Sequence, residues 1–368
     1  MMSLNTFCLL LSENCNFACK YCYERSGKGH SKKNMSKKVA SDTLDYAFSV
    51  SEYGVSLSLF GGEPTLNPDI IDFVCTRGKE IAAEQKKKFH VSMISNGSLM
   101  NRKLYSILTK HLDVMTDMQL SIDGKKETQD LTRVRVDGSG SFDTVSDNIP
   151  YWKSLFPHVN VHGVLSHDNM GQLFENYKFF LEEWGIERLW FLPAKDERYT
   201  QEDIDLYDSE MGKIMEYIME RVRKSKDVHL IRAYQPLDKA LNPDHKSPKP
   251  CGAGDSYVAV TTNGDIWPCH HLYFIDTDNS TKLGNIYDGV NPNRSRVWTE
   301  YDADDMIGCG DCDHNNCFRC PAENYENNGS PFSQMTGTHC DFMLIDLKYQ
   351  KQIKEELMGM GLMKDDRN

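Results

Sequence analysis

The sequence predicts an α/β protein: a partial (β/α)6 TIM-like barrel followed by a cysteine-rich C-terminal domain. Three observations carry this expectation. Six short apolar or alternating runs recur through the first half, separated by segments of helical periodicity. A cluster of three cysteines directly follows the first run. Seven more cysteines crowd residues 251–340, beyond a proline-rich stretch.

The six runs are Phe7–Leu11, Val55–Phe60, Val91–Ile94, Met118–Ile122, Val159–Leu165 and Leu189–Leu192. Between them, Ala40, Leu44, Ala47 and Phe48 fall on one helical face, and Ile71, Val74, Cys75 and Ala82 on the next. Strands alternating with helices imply a parallel sheet backed by helices. Six units make an open, partial barrel, whose chemistry belongs at the carboxyl ends of the strands. The barrel is expected over 1–200. A helical bridge and linker fill 201–250: Gln201–Arg223 carries an apolar stripe of Ile204, Tyr207, Met211, Ile214, Met215 and Ile218, and three prolines follow in residues 242–250. The cysteine-rich domain spans 251–345, with a hairpin of Tyr257–Val260 and Asp265–Trp267 turning at Asn263-Gly264. Residues 346–368 are a C-terminal helix, starting near Phe342 and running to Met363.

Length and composition describe an ordinary globular protein of 368 residues, 39% hydrophobic and 26% charged. A net charge of −12 gives no support to nucleic-acid binding, which leaves a basic footprint. The basic clusters at Lys28 to Lys38 and Lys86 to Lys88 read as solvated faces. No run approaches a membrane span, and MMSLNTFCLLLSENC lacks the basic segment and cleavage site of a secretion signal. Twelve cysteines without an export signal argue for metal ligands over disulfides. A cytoplasmic location, at least transiently anaerobic, is expected.

Cys15-Asn16-Phe17-Ala18-Cys19-Lys20-Tyr21-Cys22 spaces its cysteines C-x3-C-x2-C, with no fourth cysteine close by. Iron–sulfur clusters are normally held by four thiolates, so three on a four-iron cluster leave one iron open to a small molecule. A zinc knuckle is the alternative, although its nearest fourth ligand, His30, follows a glycine- and lysine-rich loop. The spacing, with an aromatic just before the third cysteine, resembles the radical S-adenosylmethionine (SAM) family. That resemblance implies a [4Fe-4S] cluster on Cys15, Cys19 and Cys22, with SAM chelating the open iron. An electron from the cluster then breaks the sulfonium, and a 5′-deoxyadenosyl radical abstracts hydrogen. Tyr21 would line the SAM pocket. Gly61-Gly62-Glu63-Pro64 after the second strand is similar to the family's motif for the SAM amino group; two glycines permit close backbone approach, and Glu63 either contacts SAM or holds nearby backbone. Asn96, in Ser95-Asn96-Gly97, and Ser121 end the third and fourth strands. Arg133 then matches the arginine that, with the serine, meets the SAM carboxylate and ribose; a guanidinium fork suits a carboxylate. Arg135 is its close competitor in sequence.

The later cysteines, C-x12-G-x4-C at Cys251 and Cys269, then Cys309-x2-Cys312-x4-Cys317-x2-Cys320 and Cys340, resemble the SPASM extension of that family. The last two gaps are each one residue short of the usual C-x2-C-x5-C-x3-C. The resemblance implies two auxiliary [4Fe-4S] clusters: Cys251, Cys269 and Cys320 on one, Cys309, Cys312, Cys317 and Cys340 on the other. The missing eighth ligand is a water, a carboxylate such as Asp255, or a substrate thiolate. A zinc ribbon over Cys309 to Cys320 is the alternative. Cys8 and Cys75, on an apolar strand and helix face, are expected to be buried structural thiols.

SPASM enzymes mostly modify peptides or proteins, which implies a peptide or protein substrate and a flavodoxin- or ferredoxin-type electron donor. The sulfatase-maturing branch has an aspartate base after the cysteine that ends G-x4-C; here that position is His270, followed by His271. Trp267-Pro268-Cys269-His270-His271 looks more like the peptide maturases that form thioether or carbon–carbon crosslinks. His270 is therefore the candidate catalytic base, or else a histidine packed beside a cluster. The cluster loop starts at Cys15, so leader recognition is expected in the second domain or from a separate leader-binding protein, unless the substrate needs no leader. The preferred expectation is maturation of a ribosomally made peptide; the alternatives are a formylglycine-generating sulfatase maturase and a non-catalytic iron–sulfur electron carrier.

Overall fold

The computed structural model describes residues 4–25, 32–195, 197–241, 251–301, 317, 320–333 and 339–363. The six expected strands are present as β1 (Thr6–Ser12), β2 (Gly54–Gly61), β3 (Lys88–Ser95), β4 (Met115–Ser121), β5 (Asn160–Leu165) and β6 (Leu189–Pro193). Each pairs in parallel with the next, in chain order. Helices α1 (Lys37–Val50), α2 (Pro68–Gln85), α3 (Arg102–Lys110), α4 (Lys126–Thr132), α5 (Phe142–Leu155) and α6 (Leu173–Glu182) fill the crossovers. The chain is a partial (β/α)6 barrel. Helix α1 buries Ala40, Leu44, Ala47 and Phe48, the face its periodicity marks.

α7 (Gln201–Ser225) starts at a capping box in which Thr200 and Asp203 satisfy each other's backbone donors. It buries Ile204, Tyr207, Met211, Ile214 and Ile218, while Met215 is half-buried. The short α8 (Gln235–Asp238) follows, and the proline-rich 242–250 lies outside the described residues. The hairpin forms as β7 (Tyr257–Val260) and β8 (Asp265–Trp267), and α9 (His270–Ile275) leaves β8 directly. Then come β9 (Gly284–Asn285), β10 (Gly289–Val290), α10 (Pro292–Glu300), α11 (Pro321–Asn328) and α12 (His339–Gly359). Tyr207 of α7 donates to Asp346 of α12 at 2.7 Å, and this bond is buried.

One pairing has no counterpart in the sequence patterns. β7 lies parallel to β1, with Thr6 opposite Tyr257 and Leu9 opposite Val260, so one ten-stranded sheet runs β10-β9-β8-β7-β1-β2-β3-β4-β5-β6. The free edge that an open barrel would leave on β1 is thereby covered. β1 is buried on both faces: Phe7, Leu9 and Leu11 join the main core, while Cys8 and Leu10 pack with Ala259, Trp267 and Phe274. Full burial of a leucine or phenylalanine contributes roughly 1.5–3 kcal/mol, so this strand is a major anchor of both halves. Cys8 and Cys75 are buried free thiols, and burial pushes each up to about 12. Among the described residues no helix is long and apolar enough to cross a membrane.

Candidate functional site

The loop after β1 is stitched down on two sides. Gly62 N and Glu63 N donate to Ser12 O and Asn14 O at 2.8 and 2.9 Å, while Ala18 N and Lys20 N donate to Val134 O and Thr132 O at 2.7 and 2.9 Å. Phe17, 1% exposed, plugs the loop into the core. This explains the two glycines differently from close approach to a ligand. At Gly61 (φ +114°) a Cβ would collide with the Ser12 carbonyl, and at Gly62 it would meet Asn14 O and Cys15 Cβ. They let β2 end against the cysteine loop.

The carboxyl ends of the strands enclose a cavity of about 360 Å3. Cys15, Cys19, Cys22, Tyr21, Gly61, Gly62, Glu63, Asn96, Ser121, Arg133 and His270 all line it; Pro64 is buried behind the wall. Glu63, 1% exposed, is saturated by the protein: one oxygen accepts from Thr65 N at 3.0 Å, Thr65 Oγ1 at 2.6 Å and Ser95 Oγ at 2.8 Å, the other from Asn96 N at 2.7 Å. It holds backbone at the ends of β2 and β3. Asn96 Nδ2 donates to Asn16 Oδ1 at 2.9 Å and stands 4.0 Å from Cys15 Sγ. Arg133, 6% exposed, donates from Nε to Asp123 at 2.9 Å with its guanidinium 5.4 Å from the Tyr21 ring centre. Arg135 binds Thr144 and is not in the lining.

Sequence reasoning gave no role to several residues in the wall or just behind it. Asp123 is a hub: besides Arg133 it accepts from Tyr21 OH, from Thr132 Oγ1 at 2.6 Å and from Val164 N at 2.9 Å. Its position two residues past β4 was the available signal. Glu24 is buried in the wall with Oε2 accepting no hydrogen bond; burial, then Glu13 and Glu63, push it up to about 8. Tyr23, Phe60, Trp190, Lys195 and His271 complete the wall.

His162, on β5, packs at a tilt against Trp190, ring centres 5.3 Å apart, with Nε2 unpartnered. Burial, then Arg133, lowers it to about 4. Between 4 and 6.5 the unfolded chain binds a proton that the fold refuses, so stability rises with pH across that window. Acidifying through it costs about 3 kcal/mol from this group alone. In His162→Gln the denaturant midpoint should fall less steeply from pH 6.5 to 4 than in the wild type. Equal slopes would remove His162 as the cause.

Because β8 joins the barrel sheet, the residues after it reach the cavity. Cys269 caps α9, accepting from Leu272 N at 3.4 Å. His270 Nδ1 shares a 2.7 Å hydrogen bond with Tyr257 OH and packs on Phe60 at 4.5 Å. Burial, then Lys195, lowers His270 to about 3, so it is neutral at pH 7. Burial pushes Cys269 up to about 12, with Cys320 and Cys251 near enough to raise it further and Lys195 near enough to oppose them. Cys251, Cys269 and Cys320 thus lie within electrostatic reach of one another. Cys317 and Cys340 are half-buried and outside the lining; Cys309, Cys312 and His30 lie outside the described residues.

The donors present fit an iron–sulfur cluster with one open iron. Three thiols share one wall, and burial, then Glu63, holds Cys15 well above the usual thiol range, so metal binding must displace its proton. Among the described residues no three Cys, His, Asp or Glu stand close enough to hold a single ion. A four-iron cluster asks for a wider spacing, since each thiolate binds a different iron. The cavity is also large enough for a SAM-sized ligand.

An open parallel barrel with a three-cysteine loop at the carboxyl end of its first strand defines a class of radical-generating enzymes. Residues 9–180 match the Radical SAM superfamily, so this part of the chain carries a Radical SAM domain. It is 23% identical over 341 residues to the cysteine-type anaerobic sulfatase-maturating enzyme of Clostridium novyi (strain NT), covering 85% of this chain and 86% of that one. It is 23% identical over 290 residues to the antilisterial bacteriocin subtilosin biosynthesis protein AlbA of Bacillus subtilis (strain 168), covering 75% and 56%. The solved structure of native anSMEcpe with bound AdoMet shares the fold, with a TM-score of 0.77 at 19% identity over 96% of this chain and 99% of that one. The same protein with AdoMet and a Cp18Cys peptide gives a TM-score of 0.75, also at 19% identity, over 96% and 98%.

Proposed function

We propose that this chain cleaves SAM reductively and uses the radical to modify a side chain of a peptide, forming a thioether or carbon–carbon crosslink in a ribosomally made precursor. The observation that carries the reading is the composite cavity: the cysteine loop and the residues proposed to meet SAM come from the barrel, while His270 and His271 come from the segment after β8. When bound, the cluster on Cys15, Cys19 and Cys22 supplies the electron that splits the SAM sulfonium. The protein's own work is positional. Arg133, steadied by Asp123 and stacked on Tyr21, presents its remaining N–H groups to the SAM carboxylate. Glu63 locks the strand ends so that Ser121 and Asn96 face the ligand. Phe60, Trp190 and Tyr23 exclude water from the radical. His270, neutral at pH 7 and oriented by Tyr257, is the group that would accept a substrate proton. Cys251, Cys269 and Cys320 hold one auxiliary cluster; Cys309, Cys312, Cys317 and Cys340 hold a second. A flavodoxin- or ferredoxin-type donor in an anaerobic cytoplasm reduces them.

Likeness to the Clostridium novyi enzyme over most of both chains favours a second reading, formylglycine formation at a sulfatase cysteine. One experiment separates the two. Reconstituted protein, SAM and dithionite are incubated with the short peptides encoded beside the gene and with a sulfatase-derived cysteine peptide, then analysed by mass spectrometry. Loss of two hydrogens with one thiol blocked marks a thioether, and the same loss with all thiols free marks a carbon–carbon crosslink. An aldehyde in place of the cysteine thiol marks formylglycine. SAM cleavage with every peptide unchanged overturns the peptide assignment.

A further inference from the structure

Lys195 stands at the junction of the two halves and has no role in the reading so far. It follows the carboxyl end of β6, lines the cavity and donates from Nζ to Cys320 Sγ at 3.1 Å. The backbone of the residue before it is pinned. Ala194 N donates to Leu165 O at 2.7 Å, and Tyr199 OH donates to Leu165 O and Ala194 O at 2.8 and 3.2 Å. Arg133, the other cation in the lining, is tied to Asp123, whereas Lys195 points its charge at the Cys320 thiol.

We propose that Lys195 sets the reduction potential of the auxiliary cluster held by Cys251, Cys269 and Cys320, through a charge-assisted hydrogen bond to the Cys320 sulfur. This rests on the reading that those three thiols hold a cluster. Hydrogen bonds to ligating sulfurs and local net charge are the protein's main controls over such potentials. A reduced cluster carries one more negative charge than the oxidised one. A half-buried ammonium at its ligand therefore stabilises the reduced form and raises the potential. The barrel thus tunes a centre that the C-terminal segment binds, and the wall of the cavity reports charge on one side to iron on the other.

The test is an EPR-monitored potentiometric titration of the fully reconstituted protein. Lys195→Met should titrate one auxiliary cluster at a lower midpoint, leave the cluster on Cys15, Cys19 and Cys22 unmoved, and keep wild-type iron content. Lys195→Arg, which retains the charge and a donor, should restore most of the midpoint. An unchanged midpoint in Lys195→Met overturns the proposal, as does loss of one cluster's iron in both variants, which would make Lys195 a structural support. Cys320→Ala tests the underlying reading separately. If it keeps full iron, Cys320 is no ligand, and the assignment of the thiols fails along with the proposal.

Discussion

Replacing Cys15, Cys19 and Cys22 together by alanine should abolish SAM cleavage to 5′-deoxyadenosine while leaving the fold intact. The three side chains line the cavity, with Cys15 and Cys19 only partly buried against the core, and Phe17 and the paired backbone fix the loop. Iron should fall from about 12 atoms per chain to about 8, since one four-iron cluster of three is lost. A wild-type preparation that reaches only about 4 atoms would instead remove the auxiliary clusters and support zinc in the C-terminal segment. Residual SAM cleavage in the triple variant would place the reacting iron elsewhere. Full iron with no SAM consumed by the wild type would support the electron-carrier alternative.

The largest structural effect is expected at Asp123. Its carboxylate is fully buried and accepts from Arg133, Tyr21, Thr132 and the Val164 backbone. Asp123→Ala leaves the Arg133 guanidinium, itself 6% exposed, as a buried charge without its partner. Breaking a buried pair from one side costs about 3–5 kcal/mol. Urea denaturation should show a loss of that size, and the KM for SAM should rise, because the guanidinium is no longer aimed. Asp123→Asn keeps an acceptor but loses the charge, so it should fall between the two. A loss under about 1 kcal/mol in Asp123→Ala would mean that water or another group compensates Arg133.

How much of this was legible beforehand follows from the kind of signal each feature leaves. β1 announces itself because a strand buried on both faces is written as an apolar run, and β2, β3, β5 and β6 because their buried positions alternate with more open ones. β4 begins at Met115, three residues before its apolar run, because Thr116 and Asp117 are exposed and break the pattern; Asp117 spends its polarity on Asn160 of the neighbouring strand at 2.6 Å. The glycine, serine and arginine positions were legible as motifs, but Glu63's occupation by four protein donors was not. The pairing of β7 with β1 joins opposite ends of the chain and leaves no periodic trace. That pairing decides which residues meet. It carries His270 to the cavity, and the reach of Lys195 to Cys320 likewise crosses from barrel to tail.

That pairing also has a consequence for biosynthesis. β1 is made before every other barrel strand, yet its second partner, Tyr257–Val260, is made only after those strands are complete. Long-range pairing of this kind is slow and keeps an unpaired edge open in the meantime. The same strand leads into the cysteine loop, so the nascent chain presents Cys15, Cys19 and Cys22 beside an uncovered sheet edge until the tail arrives. Protection of that edge therefore waits on completion of residues 257–260.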